Sequence, residues 1–224
     1  MCSAISLTKR LDQLEFYVEA RMKIPFLYEP WYYLKPQEYP NLFCIPQEDP
    51  EQIFPMEWGL IPPSEETNIE DFRRKHSTFY AKAETALNSK FFNEPLRHRR
   101  CLIIADGFFI THSLTRREKT KYYYLKGDRP FAIAGCYNTY DKEYWSVSMI
   151  TIPSKGLISG LGNRKMAQRI PLVLDPDFEK EWLNPYLEDE EIEELLATSF
   201  MRETLHAHSV SSNLGNTPEA VEPV

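Results

Sequence analysis

Among the 224 residues of this chain, the cysteine at position 2 carries the most chemistry. A small second residue permits removal of Met1, which would leave a free α-amine (pKa about 7.7–8.0) and a thiol (pKa about 8.5) on one residue. An amine of this kind condenses with an aldehyde to give an imine, and the adjacent thiol closes a five-membered thiazolidine ring. Nucleophile and trap share one Cα, so covalent geometry fixes their proximity. The alternative is a chance residue following the initiator methionine. Cys44, Cys101 and Cys136 are widely spaced with no C-x-x-C pairing, which suggests neither a zinc site nor a disulfide framework. Cys101 and Cys136 lie in apolar runs and are expected to be inert core residues. No metal or cofactor is expected.

The elements that must position Cys2 can be read from periodicity and punctuation. Ser6 is placed to cap a first helix with an apolar stripe of Leu7, Leu11, Leu14, Val18 and Met22, which Pro25 stops. Residues 30–50 are rich in proline and tyrosine and read as extended loops with a short strand at 42–45. A strand is expected at 53–58, ended by Pro62-Pro63, and a short helix at 83–92. From residue 101 the texture is β, with strands expected at 101–104, 122–125, 131–134, 144–152 and 170–174. Helices near 178–183 and 189–197 and a strand at 206–210 complete the pattern. Short strands with interspersed helices and no βαβ alternation indicate an α+β fold with a barrel-like, mainly antiparallel sheet and flanking helices. Nothing divides residues 1–224, so a single domain is expected.

At 42% hydrophobic residues the chain can bury one sizeable core. A net charge of −7 excludes coating of nucleic acid through bulk charge. The charge is uneven, however. Bases cluster at 73–76, 97–100, 116–121 and 164–165, while much of the acid lies between Asp175 and Glu194. Any one basic cluster is more often a solvated face than a binding patch. No apolar run approaches ~18 residues and the first residues lack a secretory pattern, so an intracellular protein without a membrane span is expected.

Several segments in order resemble the SOS response-associated peptidase (SRAP) family. They are Met1-Cys2, Trp58-Gly59-Leu60-Ile61-Pro62, Ala81-Lys82-Ala83-Glu84-Thr85, the run from Arg100 through Asp106-Gly107-Phe108-Phe109, Phe131-Ala132-Ile133-Ala134-Gly135, Ser148-Met149-Ile150-Thr151, and Arg169-Ile170-Pro171-Leu172-Val173-Leu174. The tail from His208 to Glu219 continues the match, which spans essentially the whole chain. The resemblance implies a β-rich α+β fold with a positively charged groove for single-stranded DNA. It also implies covalent capture of abasic sites by the N-terminal cysteine, the opened abasic sugar supplying the aldehyde, and a proposed peptidase activity, chiefly on the protein's own N-terminus.

Residue by residue, this chain departs from the family's pattern. The asparagine that helps position the cysteine is replaced by Tyr80, and the motif's arginine by Lys82, which keeps the charge without the bidentate geometry. The glutamate expected to act as general acid/base is replaced by Ile110, which transfers no proton, and the tryptophan after it by Thr111. The family's histidine falls near Gly162, and the tryptophan expected after Pro63 is Ser64. His76, His98 and His112 are candidate substitutes, more often merely solvated. Glu84 reads equally as a helix-start carboxylate or a catalytic group. Trp58, Lys82 and Arg169 are the candidate DNA-binding residues, with Trp58 also a core candidate and Arg169 a partner for an acid of the late helices.

The expectation is therefore a divergent member that binds single-stranded DNA at abasic sites. Cross-linking through Cys2 is retained in this reading and peptidase activity is impaired or lost. The competing expectation is a pseudoenzyme serving as a protein-interaction or regulatory domain. A cytoplasmic location is expected, nucleoid-associated if DNA is bound. The DNA reading requires Cys2 to sit at the mouth of a cationic channel lined by Lys82 and its neighbours.

Overall fold

The structure, a computed structural model, describes residues 2–114, 117–140, 144–154 and 168–224. Its chain opens with a strand that takes in Ser6 and Leu7, the expected cap and first residue of a helix. β1 (Cys2–Leu7) runs extended, and only Leu11–Val18 forms the helix α1. Leu7, Leu11, Leu14 and Val18 do recur at helical spacing. The Ser6 hydroxyl nevertheless donates to the Asp106 carboxylate at 2.7 Å, while Ile5 and Leu7 enter the core from one face of a sheet. Long-range burial overrides the local period here. Met22 lies in a separate short strand, β2 (Arg21–Met22), after Glu19 ends α1 in a left-handed conformation.

The strands that follow are β3 (Trp31–Leu34), β4 (Asn41–Pro46) and β5 (Gln52–Trp58). Helix α2 (Ile69–Lys75), strand β6 (Tyr80–Lys82) and helix α3 (Asn93–His98) come next. The helix expected at 83–92 is instead a single 3₁₀ turn at Ala86–Asn88 followed by α3. Short polar side chains offer the backbone local partners there: the Phe91 amide donates to the Ser89 hydroxyl, and the Glu94 amide to the Asn93 side chain. The β-rich half supplies β7 (Arg100–Ala105), β8 (Gly107–Leu114), β9 (Arg117–Tyr124), β10 (Phe131–Tyr140), β11 (Tyr144–Pro153) and β12 (Arg169–Pro171). Helices α4 (Pro176–Trp182) and α5 (Asp189–Thr198) and strand β13 (His206–Ser209) follow.

Strands β5, β4, β7, β10 and β11 pair in that order, and a parallel contact between β11 and β5 (Ser146 with Glu57, Val147 with Trp58) closes them into a barrel. β2, β6 and β12 extend its margins. A second, wholly antiparallel sheet has the order β13-β9-β8-β1-β3. One residue, Asp106, joins β7 of the barrel to β8 of this second sheet. Its buried carboxylate accepts from Ser6 and from the Thr8 amide and hydroxyl, and Ser6 also meets the Tyr122 hydroxyl at 3.0 Å. Gly107 follows because the Tyr122 ring lies where a Cβ would stand. The α+β architecture expected from the sequence is what the chain adopts. One continuous apolar core fills the barrel and the inner face of the second sheet, and a small cluster of Ala4, Phe109, Tyr122 and Val210 forms on the outer face.

Arg100 fixes helices to the barrel. Its fully buried guanidinium donates to the carbonyls of Leu96 (2.9 Å), Arg97 (2.7 Å), Trp182 (2.8 Å) and Asn184, so one cation satisfies the C-terminal ends of both α3 and α4. Burial pulls its pKa down to about 10, which leaves it charged at neutral pH.

Candidate functional site

Cys2 lies in an interior strand of the second sheet, between β8 and β3, directly opposite Ile110 of β8. The register then shifts, so that Ser3 bulges and Ala4 pairs with Phe109. The Ser3 hydroxyl stitches this bulge down by donating to the Phe109 carbonyl at 3.3 Å. From the barrel side β6 approaches, and the Tyr80 hydroxyl donates to the Cys2 carbonyl at 2.8 Å. Two of the three substituted positions, Tyr80 and Ile110, thus converge on Cys2 from different sheets, while Gly162 lies outside the described residues. Burial holds the Tyr80 phenol protonated well above its ordinary range, so it serves as a fixed donor.

The thiol itself is not at the mouth of a groove. Cys2 is only 2% exposed, its sulfur packs within the apolar core, and Sγ donates to the Ala4 carbonyl at 3.2 Å. Desolvation pushes the thiol pKa up to about 12, which suppresses the nucleophilic thiolate. This corrects the expectation that Cys2 stands open in a cationic channel. β1 is drawn inward because Ile5 and Leu7, two and four residues beyond the bulge, are wholly buried.

Trp58 is likewise a core residue. It is fully buried, donates from Nε1 to the Phe79 carbonyl at 3.0 Å, and packs against the edge of Tyr80 with ring centroids 5.7 Å apart. Its ring presents no face on which a base can stack, so its role is to back Tyr80. Lys82 is exposed on β6, in register with Thr151. Arg169 makes a bidentate pair with Glu84 (3.0 and 2.8 Å), and its Nε donates to Thr151 Oγ1 at 3.1 Å. Its acid is therefore Glu84, not a residue of the late helices, and its fork is already occupied. Thr151 ties this corner together by donating to the Ala81 carbonyl at 3.2 Å. Sequence reasoning recorded Thr151 within a motif but gave it no role, since nothing local signals a partner on β6.

Two of the basic clusters, 73–76 and 97–100, resolve into internal contacts, while 164–165 and the side chains of 116–119 lie outside the described residues. Arg97 forks onto Asp189, and Arg99 binds Asn138, the Tyr137 carbonyl and Glu94. Arg73 pairs with Glu57 beneath the Tyr39 ring, and Arg74 and Lys75 both reach Asp71. His76 packs between Phe72 and Phe91, and His98 is exposed at the end of α3. The His112 side chain lies outside what the structure describes. Among the described residues, no group of three or more His, Cys, Asp or Glu side chains is arranged to hold a metal ion, and no helix is long and apolar enough to cross a membrane.

Beside the N-terminal strand, a cleft of about 300 Å³ opens among Tyr33, Lys35, Thr111, Thr120 and the segment 212–214. Sequence reading missed this feature, whose residues come from four separate segments.

Comparison with known proteins was made against this geometry. The family described as SOS response associated peptidase (SRAP) matches residues 1–217. The abasic site processing protein YobE of Bacillus subtilis is 30% identical over 201 residues, covering 87% of this chain and 86% of that protein. The abasic site processing protein YedK of Escherichia coli is 25% identical over 175 residues, covering 76% and 74%. A crystal structure of a Bacteroides thetaiotaomicron protein superposes with a TM-score of 0.86 at 24% identity over the full length of both chains. One from Bordetella bronchiseptica gives 0.73 at 20% identity, covering 94% of this chain and all of that one. At these identities the two structures speak for the fold alone.

Proposed function

The chain belongs to the SOS response-associated peptidase family, and from that premise we propose that it binds single-stranded DNA at abasic sites and captures the lesion through Cys2 once Met1 is removed, with peptidase activity impaired. The observation that carries this reading is the convergence on Cys2 of Tyr80, at 2.8 Å from its carbonyl, and Ile110, its cross-strand partner. Both positions belong to the site that the sequence pattern of the family predicts, although their side chains have changed.

The chemistry divides according to what it needs. Peptide hydrolysis requires a group that moves protons, and a positioned acid/base contributes roughly 10²–10⁴-fold. Ile110 supplies none, and the Tyr80 phenol is held protonated. Thiazolidine formation uses only atoms of Cys2 and the sugar aldehyde. The amine nitrogen bonds to the aldehyde carbon, one water leaves to give the imine, and the thiol S–H adds across the C=N bond to close the ring. Tyr80 holds the Cys2 carbonyl while this proceeds. Cys2 does not stand at the mouth of a cationic channel, so the DNA reading rests on family membership and on local opening of β1, which must precede ring closure because the thiol is buried.

The test uses tagless full-length protein, confirmed by intact mass to lack Met1, and an oligonucleotide carrying one abasic site. A denaturant-stable adduct that disappears in Cys2→Ala supports the proposal. Neither adduct nor low-salt binding by the Met1-free protein would sink it. A second reading, a pseudoenzyme that engages protein partners, is favoured by the 2% exposure of Cys2 and by the internal pairing of Arg97, Arg99 and Arg100. Low-salt DNA binding that is insensitive to Lys82→Ala counts toward that alternative.

A further inference from the structure

The cleft beside β1 is lined by polar groups of one character. Lys35 contributes an ammonium whose Nζ lies 5.3 Å from the Tyr33 ring centroid. Thr111 and Thr120 contribute hydroxyls, in mutual contact at 3.1 Å, and Ser212 and Asn213 add a hydroxyl and an amide from the tail. Each of these groups can donate hydrogen bonds, and no carboxylate is among the residues lining the cleft. Such a wall suits an anion with several acceptor oxygens. It lies apart from the Cys2 thiol: Thr111 follows Ile110 along β8, so its side chain projects from the opposite face of the sheet.

The cleft is also wired to the reactive terminus. Thr111 Oγ1 donates to Ser3 Oγ at 3.4 Å, and Ser3 in turn donates to the Phe109 carbonyl at 3.3 Å. Ser3 is the bulge residue that seats Cys2. A ligand that recruits the Thr111 and Thr120 hydroxyls competes with the contact that holds this bulge.

We infer that this cleft is an anion site for a phosphate group, held by Lys35, Thr111, Thr120, Ser212 and Asn213, and that its occupancy loosens Ser3 and so frees Cys2. The phosphate comes either from the DNA backbone or from free phosphate. This deepens the DNA-binding reading by giving the strand a second point of attachment on the far face of the same sheet.

The experiment titrates full-length protein with inorganic phosphate, and separately with an intact single-stranded oligonucleotide, following backbone amide shifts by NMR and maleimide labelling of Cys2 by mass spectrometry. Phosphate is expected to shift the amides of Ser3, Lys35 and Thr120 and to raise Cys2 labelling while Cys101 and Cys136 stay unlabelled. Lys35→Ala and, independently, Thr120→Val should each weaken phosphate about tenfold, the effect of one hydrogen bond to a charged group. Competition between phosphate and the oligonucleotide assigns the site to backbone phosphate, and phosphate binding without competition assigns it to the free anion. Absence of phosphate-induced shifts at these amides, or shifts that persist unchanged in both weakening variants, overturns the inference. Shifts without any change in Cys2 labelling overturn its second half. Adduct formation with abasic DNA is scored in parallel: an adduct without phosphate binding removes this inference alone, and phosphate binding without an adduct removes only covalent capture.

Discussion

The barrel and the second sheet solve the same problem, burying a polar element, in opposite ways. In the barrel one cation, Arg100, is enclosed and given four carbonyls, so helices α3 and α4 are locked to β7 by a saturated centre. In the second sheet Cys2 is enclosed with one weak sulfur contact, and its strand is held through Tyr80 and the Ser3 bulge. The barrel strands close on themselves, whereas the second sheet ends in two edge strands, β3 and β13, with the Tyr32 and Tyr33 amides of β3 donating to the Asn216 side chain. The difference teaches where this molecule can open. The saturated centre opens only with global unfolding, while the lightly held terminus has contacts that can be exchanged singly.

The largest test of that contrast is Arg100→Met, which strips partners from four buried carbonyls at once. It is expected to destabilise the protein by about 3–5 kcal/mol, measured by urea denaturation. A loss below about 1 kcal/mol would show that water replaces the guanidinium and that the barrel is not pinned as described. Gly107→Ala, at the junction, forces a methyl into the Tyr122 ring and is expected to cost up to about 3 kcal/mol. Tyr122→Ala in the same chain should relieve the clash, so the double variant falls short of the sum of the two losses.

Tyr80→Phe removes a single hydrogen bond, worth about 1 kcal/mol, and sharpens the comparison most directly. Cys2 should then react with maleimide several times faster, whereas Cys44, Cys101 and Cys136, all in barrel strands, should not change. The pH profile adds a sign. Burial raises the thiol pKa, so the fold favours the neutral form, and that contribution to stability is intact below the ordinary thiol range near 8.5. It is lost as pH rises toward about 12. Native-state labelling of Cys2 should accordingly keep climbing above pH 9, and a plateau near pH 9 would mean the thiol is already exposed. The smallest effect is expected from Arg169→Lys, which replaces a two-pronged contact with half-exposed Glu84 and should cost less than about 1 kcal/mol.

Strands β4, β5, β7, β10 and β11 were legible because β-branched, aromatic and apolar residues run continuously between turn residues. β1 was not, because Leu7 falls at helical spacing from Leu11, Leu14 and Val18, and only partners outside the local sequence, Trp31 and Leu34 of β3 with Asp106 and Phe108, decide for the strand. β8 was obscured for a related reason: Thr111, His112 and Ser113 dilute its apolar character. At the site, Tyr80 and Ile110 were legible as substituted positions only through the family's pattern, and the structure brings both to Cys2. Trp58 read as either a stacking platform or a core residue, and it is a core residue that backs Tyr80. Arg169 was misassigned a partner because Glu84 is 85 residues distant, beyond the reach of any local spacing rule.

The interior place of β1 has a consequence for biosynthesis. Its neighbour β3 leaves the ribosome soon after it, but its other neighbour, β8, begins only at Gly107. At translation rates of about 5–20 residues per second, the nascent strand waits on the order of 5–20 s for that partner. During this interval β1 lacks its β8 partner, and afterwards that side of the strand is paired. On the proposed function, removal of Met1 within this interval would set whether Cys2 carries a free amine, which makes codon usage across the first hundred residues a lever on the proposed capture.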